Sequence, residues 1–253
     1  MRFREKLAVV TGANSGIGRA VALRLLEEGG QVLAVDIEHT EPWPETFSGQ
    51  LSSVTADLAE PEAPARVASA LEKHVQSVRI LVNAAGILRI APFFEVTPSD
   101  WDRVLAVNLR GVFFLTQAVC RKMAAAGAGG RVVNVSSVHA TVSEPNAAPY
   151  TASKGGLEAM TRTIATELAP HKITVNCVRP GATSTAMSKP IYTEEILAAL
   201  AERIPLREVA PPEWVASAIC YLASDESLYT TGACLDVDGG YAMNGSLPVV
   251  KYQ

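Results

Sequence analysis

A chain of 253 residues, 48% hydrophobic and only 6% aromatic, is long enough for one sizeable core and suits a single α/β domain, 1–253. A formal net charge of −4 without any block of basic residues speaks against a nucleic-acid partner. The start Met1-Arg-Phe-Arg-Glu-Lys6 leads into too short an apolar stretch for a signal peptide, and no apolar run is expected to approach the roughly 18 residues of a membrane span, so a cytoplasmic protein is expected.

The apolar run Leu7-Ala-Val-Val10 predicts a strand over 6–11, and a helical pattern follows over 17–28. Between them lies Thr11-Gly-Ala-Asn-Ser-Gly-Ile-Gly18. Strand, glycine turn and helix in that order aim backbone N–H groups and a positive helix end at a pyrophosphate. Gly12 allows the tight turn, Gly16 the close approach of phosphate, and Gly18 lets the helix press on the sheet. Asn14, Ser15 and Ile17 complete the turn and are candidate cofactor contacts. The spacing G-x-x-x-G-x-G departs from the usual G-x-G-x-x-G. A second strand over 31–36 ends in Asp36, whose carboxylate can accept from ribose hydroxyls and repel a 2′-phosphate. Neither Ser15 nor Ile37 is basic, and Arg19 is expected to serve the surface. The expected cofactor is NAD.

Further strands are predicted near 51–55, 80–83, 131–136, 173–177 and 233–237, with helices near 62–75, 98–125, 149–169, 193–203 and 212–223. This alternation implies right-handed crossovers and a Rossmann-like, doubly wound parallel sheet of about seven strands with helices on both faces. From His39 to Gln50 a proline-rich segment with Trp43 stands where a helix would continue the alternation. Thr97-Pro-Ser-Asp100 reads as a helix start. Cys120, Cys177, Cys220 and Cys234 are widely spaced and read as free core thiols, and the four histidines form no cluster, so no metal is expected.

Tyr150 and Lys154 stand one helical turn apart and face the same way. A tyrosine with a pKa of about 10 is a poor acid or base near neutrality. Lowering it to about 7 takes roughly 4 kcal/mol, about the Coulomb energy of one charge at ~4 Å and an effective dielectric of ~20. One well-placed lysine can supply that.

Eight stretches, Thr11 to Gly18, Asp57-Leu58, Asn83-Ala-Ala-Gly86, Asn108, Asn134-Val-Ser-Ser137, Tyr150-x-x-x-Lys154, Pro180-Gly181 and Val237-Asp-Gly-Gly240, occur in the order and at the spacings of one family. Over essentially its full length the chain resembles the short-chain dehydrogenases/reductases. The resemblance implies that Tyr150 exchanges a proton with the substrate oxygen and that Lys154 lowers the tyrosine pKa and holds the nicotinamide ribose. Ser137 would hydrogen-bond the same oxygen. Asn108 would order a water that relays protons to the lysine, with a purely structural amide as the alternative. Asp57 and Leu58 would border the adenine, and Asn83 and Gly86 would line the crevice outside the fourth strand. After Pro180-Gly181, Thr183 would meet the carboxamide and Thr185 the phosphates.

For the substrate, His139 follows Ser137 by two residues, so a continuing strand would point both into the pocket, with Glu144 and Asn146 nearby. The runs Ser136-Ser-Val-His139 and Pro180 to Thr185 resemble the family's sugar dehydrogenases, whereas Leu81 to Arg89 resembles a cyclic dihydrodiol dehydrogenase. A 3-oxoacyl carrier protein reductase is a further alternative, opposed by Asp36 and the uncharged loop 124–130. A non-catalytic NAD(H)-responsive interaction protein needs the glycine turn and Asp36 but not Ser137, Tyr150 and Lys154 together. The small, uncharged side Ala152, Gly155, Gly156, Ala159 and Thr163, with the apolar helix around 107–119, leads to the expectation of a homotetramer, the resemblance implying an interface of these two helices, and leaves the tail 245–253 either reaching a neighbouring subunit or a frayed end.

Overall fold

The structure, a computed structural model, describes residues 1–244. Short Val-, Leu- and Ile-rich runs form β1 (Leu7–Thr11), β2 (Gln31–Asp36), β3 (Leu51–Thr55), β4 (Val78–Asn83), β5 (Gly130–Val135), β6 (Ile173–Pro180) and β7 (Cys234–Val237). They pair in parallel in the order β3-β2-β1-β4-β5-β6-β7. In β1 and β5 every residue is buried, the pattern of strands covered on both faces. The order reverses between β1 and β4, which opens a crevice outside the carboxyl ends of the central strands.

The covering helices are α1 (Gly16–Glu27), α2 (Ala63–Leu71), α3 (Pro98–Leu105), α4 (Val112–Ala126), α5 (Ala148–Leu168), α6 (Glu194–Arg203) and α7 (Pro212–Leu222). On one face Val21, Leu25, Val215 and Ile219 pack on Val10, Val82 and Val133. On the other, Val67, Leu115, Val119 and Met123 pack on Val9, Leu33, Leu81 and Val132. The predicted seven strands are all present, and β6 runs on to Pro180, carrying Arg179 up to the crevice.

Three local features differ from the sequence reading. The single helix expected over 98–125 is interrupted by a π turn at Ala106–Gly111, where i→i+5 bonding widens the helix around Asn108. Contrary to expectation, the run Pro98–Ala126 is long and apolar enough to cross a membrane, yet it packs as a core helix through Val104, Val107, Leu115, Val119 and Met123. Arg19 is no loose surface cation. Its Nη2 donates to Pro42 O at 2.6 Å and its guanidinium lies 4.5 Å from the centre of the Trp43 ring.

That stacking holds the proline-rich segment, which contains only a 3₁₀ turn at Glu45–Phe47, against the start of α1. Asn14 holds it as well, donating to Thr40 Oγ1 at 3.0 Å and accepting from Glu41 N at 3.2 Å. The helix start at Thr97 is as expected, a capping box in which Thr97 Oγ1 accepts from Asp100 N at 3.1 Å. The tail read as reaching a neighbouring subunit or as a frayed end, 245–253, lies outside the described residues.

Gly111 closes the π turn against the loop after β3, and a Cβ there would sit 2.2 Å from Leu58 O. Gly111→Ala should therefore destabilise the fold by about 2 kcal/mol through overpacking. Urea unfolding should show a lower midpoint at an unchanged slope; an unshifted midpoint would mean that the contact relaxes freely.

Candidate active site

The crevice is floored by two turns braced on each other. Gly12 adopts φ +65°, and a Cβ there would come within 2.8 Å of Ala85 N. Gly18 lies so close to the sheet that its Cβ would meet Gly12 O at 2.1 Å, which is the helix-to-sheet contact expected of it. Thr11 Oγ1 accepts from Ala84 N at 3.1 Å and Ala85 N at 3.0 Å, tying the end of β1 to the turn after β4. Ser15 is the N-cap of α1 and makes no side-chain capping bond, and Ile17 is half-buried behind it. Gly16 faces Thr185, whose Cβ and Cγ2 lie 3.3 Å from the point a Cβ would occupy.

Asp36 ends β2 where the sequence places it. Its carboxylate accepts from Asn14 N and from Ile37 N, both at 2.8 Å, so it is bonded into the glycine turn and still borders the crevice.

Tyr150 and Lys154 occupy the first turns of α5, opposite the exit of β5. Lys154 is 5% exposed; its Nζ donates to Val135 O at 2.7 Å and lies 5.6 Å from the centre of the Tyr150 ring. Ser137 follows two residues later, 6% exposed, as the cap of a 3₁₀ turn at Val138–Ala140, its Oγ accepting from His139 N at 3.2 Å. The three side chains are thus brought together.

The electrostatics differ from expectation. Burial raises the Tyr150 phenol above its ordinary value, opposed by hydrogen bonding to Ser137, and Tyr192 raises it further. The ammonium does not bring it toward 7, because Lys154 is aimed at the Val135 carbonyl rather than at the phenol oxygen. Burial instead pushes Lys154 itself down to about 8, against the opposing influence of Cys177 and Glu158.

Asn108 is fully buried in the π turn. Its Oδ1 accepts from Ile87 N at 2.9 Å, and its Nδ2 donates to Ile87 O at 2.9 Å and to Ser153 Oγ at 3.1 Å. Both amide donors are spent on protein groups. The side chain therefore locks the loop after Gly86 to α5, the structural role that the sequence left as the alternative.

Asn83 also departs from its expected place. Its side chain turns into the sheet, donating to Thr116 Oγ1 at 3.0 Å and Asn134 Oδ1 at 2.7 Å, and Asn134 donates onward to Thr161 Oγ1 at 2.9 Å. Gly86 does line the crevice: a Cβ there would lie 3.4 Å from Asn108 Oδ1 and 3.6 Å from Lys154 Nζ. The Leu58 side chain packs in the core, so only its backbone faces the crevice end of β3. Asp57 accepts from Ala59 N and from Arg103 Nη2, both at 2.9 Å, so its carboxylate is paired with a neighbouring helix.

Pro180 ends β6, and Gly181 N donates to Val237 O at 3.0 Å. Thr183 Oγ1 donates back to Gly181 O at 3.0 Å, a loop-bracing role, while Thr185 stands over the glycine turn. His139 reaches a pocket, for a different reason from the one expected: β5 has ended at Val135, and the 3₁₀ turn aims the ring. Its Nε2 lies 3.2 Å from Glu144 Oε2, and both line a cavity of about 520 Å³ with Asn146, Thr141, Thr151 and Phe93. Ser137 and Tyr150 are not among the lining residues of that cavity.

Residues 12–242 match the family described as enoyl-(acyl carrier protein) reductase. The chain is 40% identical to the 3-oxoacyl-[acyl-carrier-protein] reductase of Thermotoga maritima, over 95% of this chain and 99% of that one. It is 35% identical to the (3R)-3-hydroxyacyl-CoA dehydrogenase of Canis lupus familiaris, over 96% and 98%. The crystal structure of a gluconate 5-dehydrogenase from Burkholderia cenocepacia J2315, in complex with NADP and tartrate, superimposes with a TM-score of 0.90 at 31% identity, covering 96% of this chain and 97% of that one. This chain is a short-chain dehydrogenase/reductase.

Membership makes it an oxidoreductase of alcohol or carbonyl groups that uses a nicotinamide cofactor. In this short-chain dehydrogenase/reductase several site-building residues escaped the sequence reading. Thr11 and Ser153 brace the turns on which the motif residues stand, and Glu158 with Arg179 lies behind Lys154. For Thr11 and Ser153 the signal was present, since each adjoins a motif glycine or lysine. For Glu158 it was the helical spacing from Lys154.

Lys154 yields a prediction that needs no substrate. Its value in the fold, about 8, lies below the ordinary 10.5, so the unfolded chain binds the proton more tightly. The buried ammonium therefore weakens the fold fully below pH 8, and this penalty fades as pH rises toward 10.5. Lys154→Met should stabilise the protein at pH 7 by about 1–3 kcal/mol, with the gain shrinking at pH 10 in paired urea titrations. An equal gain at both pH values would contradict the buried-ammonium account.

Proposed function

We propose that this protein is an NAD-dependent dehydrogenase of hydrophilic secondary alcohols, a sugar or polyol first. The observation that carries this reading is the cavity beside the start of α5, where His139, Glu144, Asn146, Thr141 and Thr151 gather hydrogen-bonding groups suited to several hydroxyls. The gluconate dehydrogenase fold match supports it. A second reading, a 3-hydroxyacyl thioester, draws on the acyl-handling relatives and on Ala91, Phe93 and Val142 in the same cavity wall.

The residues present fit a nicotinamide dinucleotide. Gly12 and Gly18 let the turn, the loop after β4 and α1 close on one another, Gly16 keeps the start of α1 clear beneath Thr185, Asp36 offers a carboxylate suited to an adenosine ribose, and Gly86 keeps space clear in front of Lys154. Pro180, Gly181, Thr183 and Thr185 close the other side. When bound, the nicotinamide accepts or supplies the hydride. Tyr150 Oη takes the alcohol proton during oxidation or gives it to the carbonyl oxygen during reduction. Ser137 Oγ–H donates to that oxygen as charge develops on it. Burial favours the protonated phenol, the form that donates, so oxidation should accelerate as pH rises while reduction is favoured nearer neutrality.

NAD is preferred in this reading because the Asp36 carboxylate meets the position of a 2′-phosphate. We also assign a homotetramer to the chain. Trp101, Phe113 and Phe114 are 40%, 36% and 47% exposed, and Ala152, Ala159 and Thr163 on α5 are exposed and uncharged, a surface suited to a second copy.

Tyr150→Phe should lower turnover at least a hundredfold while NADH binding, followed by fluorescence, is kept; a loss under tenfold would assign the proton to another group. Parent protein should use NAD at least about ten times better than NADP, and Asp36→Ala should narrow that ratio. A parent preferring NADP would sink the argument. Across gluconate, xylitol and 3-hydroxybutyryl-coenzyme A, NADH formation should favour the polyhydroxy probes, and His139→Ala should raise their KM more than that for NAD. Preference for the thioester would establish the second reading. Light scattering should give a mass of four chains, and a mass of one chain would refute assembly.

A further inference from the structure

Behind Lys154 lies a buried carboxylate that the proton-transfer scheme does not use. Glu158, 4% exposed, follows Lys154 by one turn of α5. Its Oε1 accepts from Ser136 Oγ at 2.7 Å and from Arg179 Nε at 2.7 Å, and its Oε2 accepts from Arg179 Nη2 at 2.7 Å. Consecutive residues at the exit of β5 are therefore held by consecutive turns of one helix: Val135 O by Lys154 and Ser136 Oγ by Glu158. The next residue is Ser137. From β6 the guanidinium of Arg179 also reaches Asp236 Oδ1 of β7 at 3.3 Å.

We propose that Glu158 is a positioning residue of the reaction: it ties the exit of β5 to the helix carrying Tyr150 and Lys154, and supplies the counter-charge that keeps the Lys154 ammonium buried. This rests on the assignment of proton transfer to Tyr150 and Ser137 above and on the hold of the Lys154 ammonium on the nicotinamide ribose that the family resemblance implies. A structural role alone accounts less well for the arrangement, because a buried ion pair gives little net stability over an apolar pair of equal volume. The charged and titratable groups around this carboxylate are Lys154 on α5, Arg179 and Cys177 on β6, and Cys234 and Asp236 on β7. Among them Glu158 and Cys177 act on Lys154 to favour its charged form, against burial.

Removing the carboxylate's charge takes away a negative group that favours the ammonium of Lys154, so the Lys154 proton should be held less tightly. The test is an NMR titration of the Lys154 Cε resonance in lysine-labelled protein, assigned by its loss in Lys154→Met. Glu158→Gln keeps an acceptor for Ser136 and should lower the Lys154 midpoint by about one pH unit. Ser136→Ala, which removes only the tie, should leave the midpoint in place. If Glu158→Gln does not fold, Glu158→Leu with Arg179→Met fills the same space without charge and should still lower the midpoint, by less. A midpoint unmoved in Glu158→Gln, or in the double variant where Glu158→Gln does not fold, overturns the proposal, and so does a midpoint that Ser136→Ala shifts as far as Glu158→Gln.

With gluconate or 3-hydroxybutyryl-coenzyme A, whichever the parent oxidises, Glu158→Gln should lose turnover most above its new midpoint and recover toward acid pH. A uniform loss at every pH would also count against the proposal. Parallel assays of Tyr150→Phe keep the two ideas apart. Full turnover there would overthrow the assignment of the chemistry, while the NMR result would still decide whether Glu158 governs Lys154.

Discussion

Placing an ammonium in a protein interior is the constraint around which this crevice is arranged. Lys154 is nearly sealed from solvent, and burial of a charge is tolerated only with close polar partners. It is met by the Val135 carbonyl, has Gly86 of the loop after β4 packed before it, and has the Glu158–Arg179 pair one helical turn behind. Each partner belongs to a different element, so satisfying one side chain fixes α5, the exit of β5, the end of β6 and the loop after β4 relative to one another.

The sheet contributes a second buried polar system. Thr116, Asn83, Asn134 and Thr161 join α4, β4, β5 and α5 through side-chain bonds across the middle of the fold. Buried amides are costly unless satisfied, and these are specific about register: Asn83 and Asn134 are direct partners in the β4–β5 ladder. A slip of one residue would move one of them to the opposite face. The crevice therefore inherits its geometry from strand alignment below it as well as from loops above it.

Much of this was legible in the sequence because the determinants are local. A run such as Leu7 to Val10 becomes a strand, a glycine at φ +65° becomes a turn, and Thr97 with Asp100 closes a helix end, all within a few residues. The gathering of Ser137, Tyr150 and Lys154 followed from motif spacing on such elements. What stayed hidden depends on contacts across the fold. Asn83 was read as lining the crevice because it ends a strand, but only the partner strand shows that its side chain points inward. The π turn has nearly the same apolar pattern as an α-helix. Lys154 and Tyr150 share a helix face as expected, yet the direction of the ammonium is set by a carbonyl on β5 that no spacing on α5 can reveal.

The bond from Asn14 N to Asp36 gives one carboxylate two duties. It borders the crevice at the end of β2, and it also satisfies a backbone donor in the glycine turn. An evolving lineage, or an engineer, that deletes this side chain would orphan that N–H and loosen the turn at the same stroke. An asparagine at this position has a single acceptor oxygen, so it could satisfy only one of the two backbone donors, Asn14 N or Ile37 N, that the carboxylate now accepts. Whatever this position does for a ligand, its replacements are thereby limited by what the turn beneath it can tolerate.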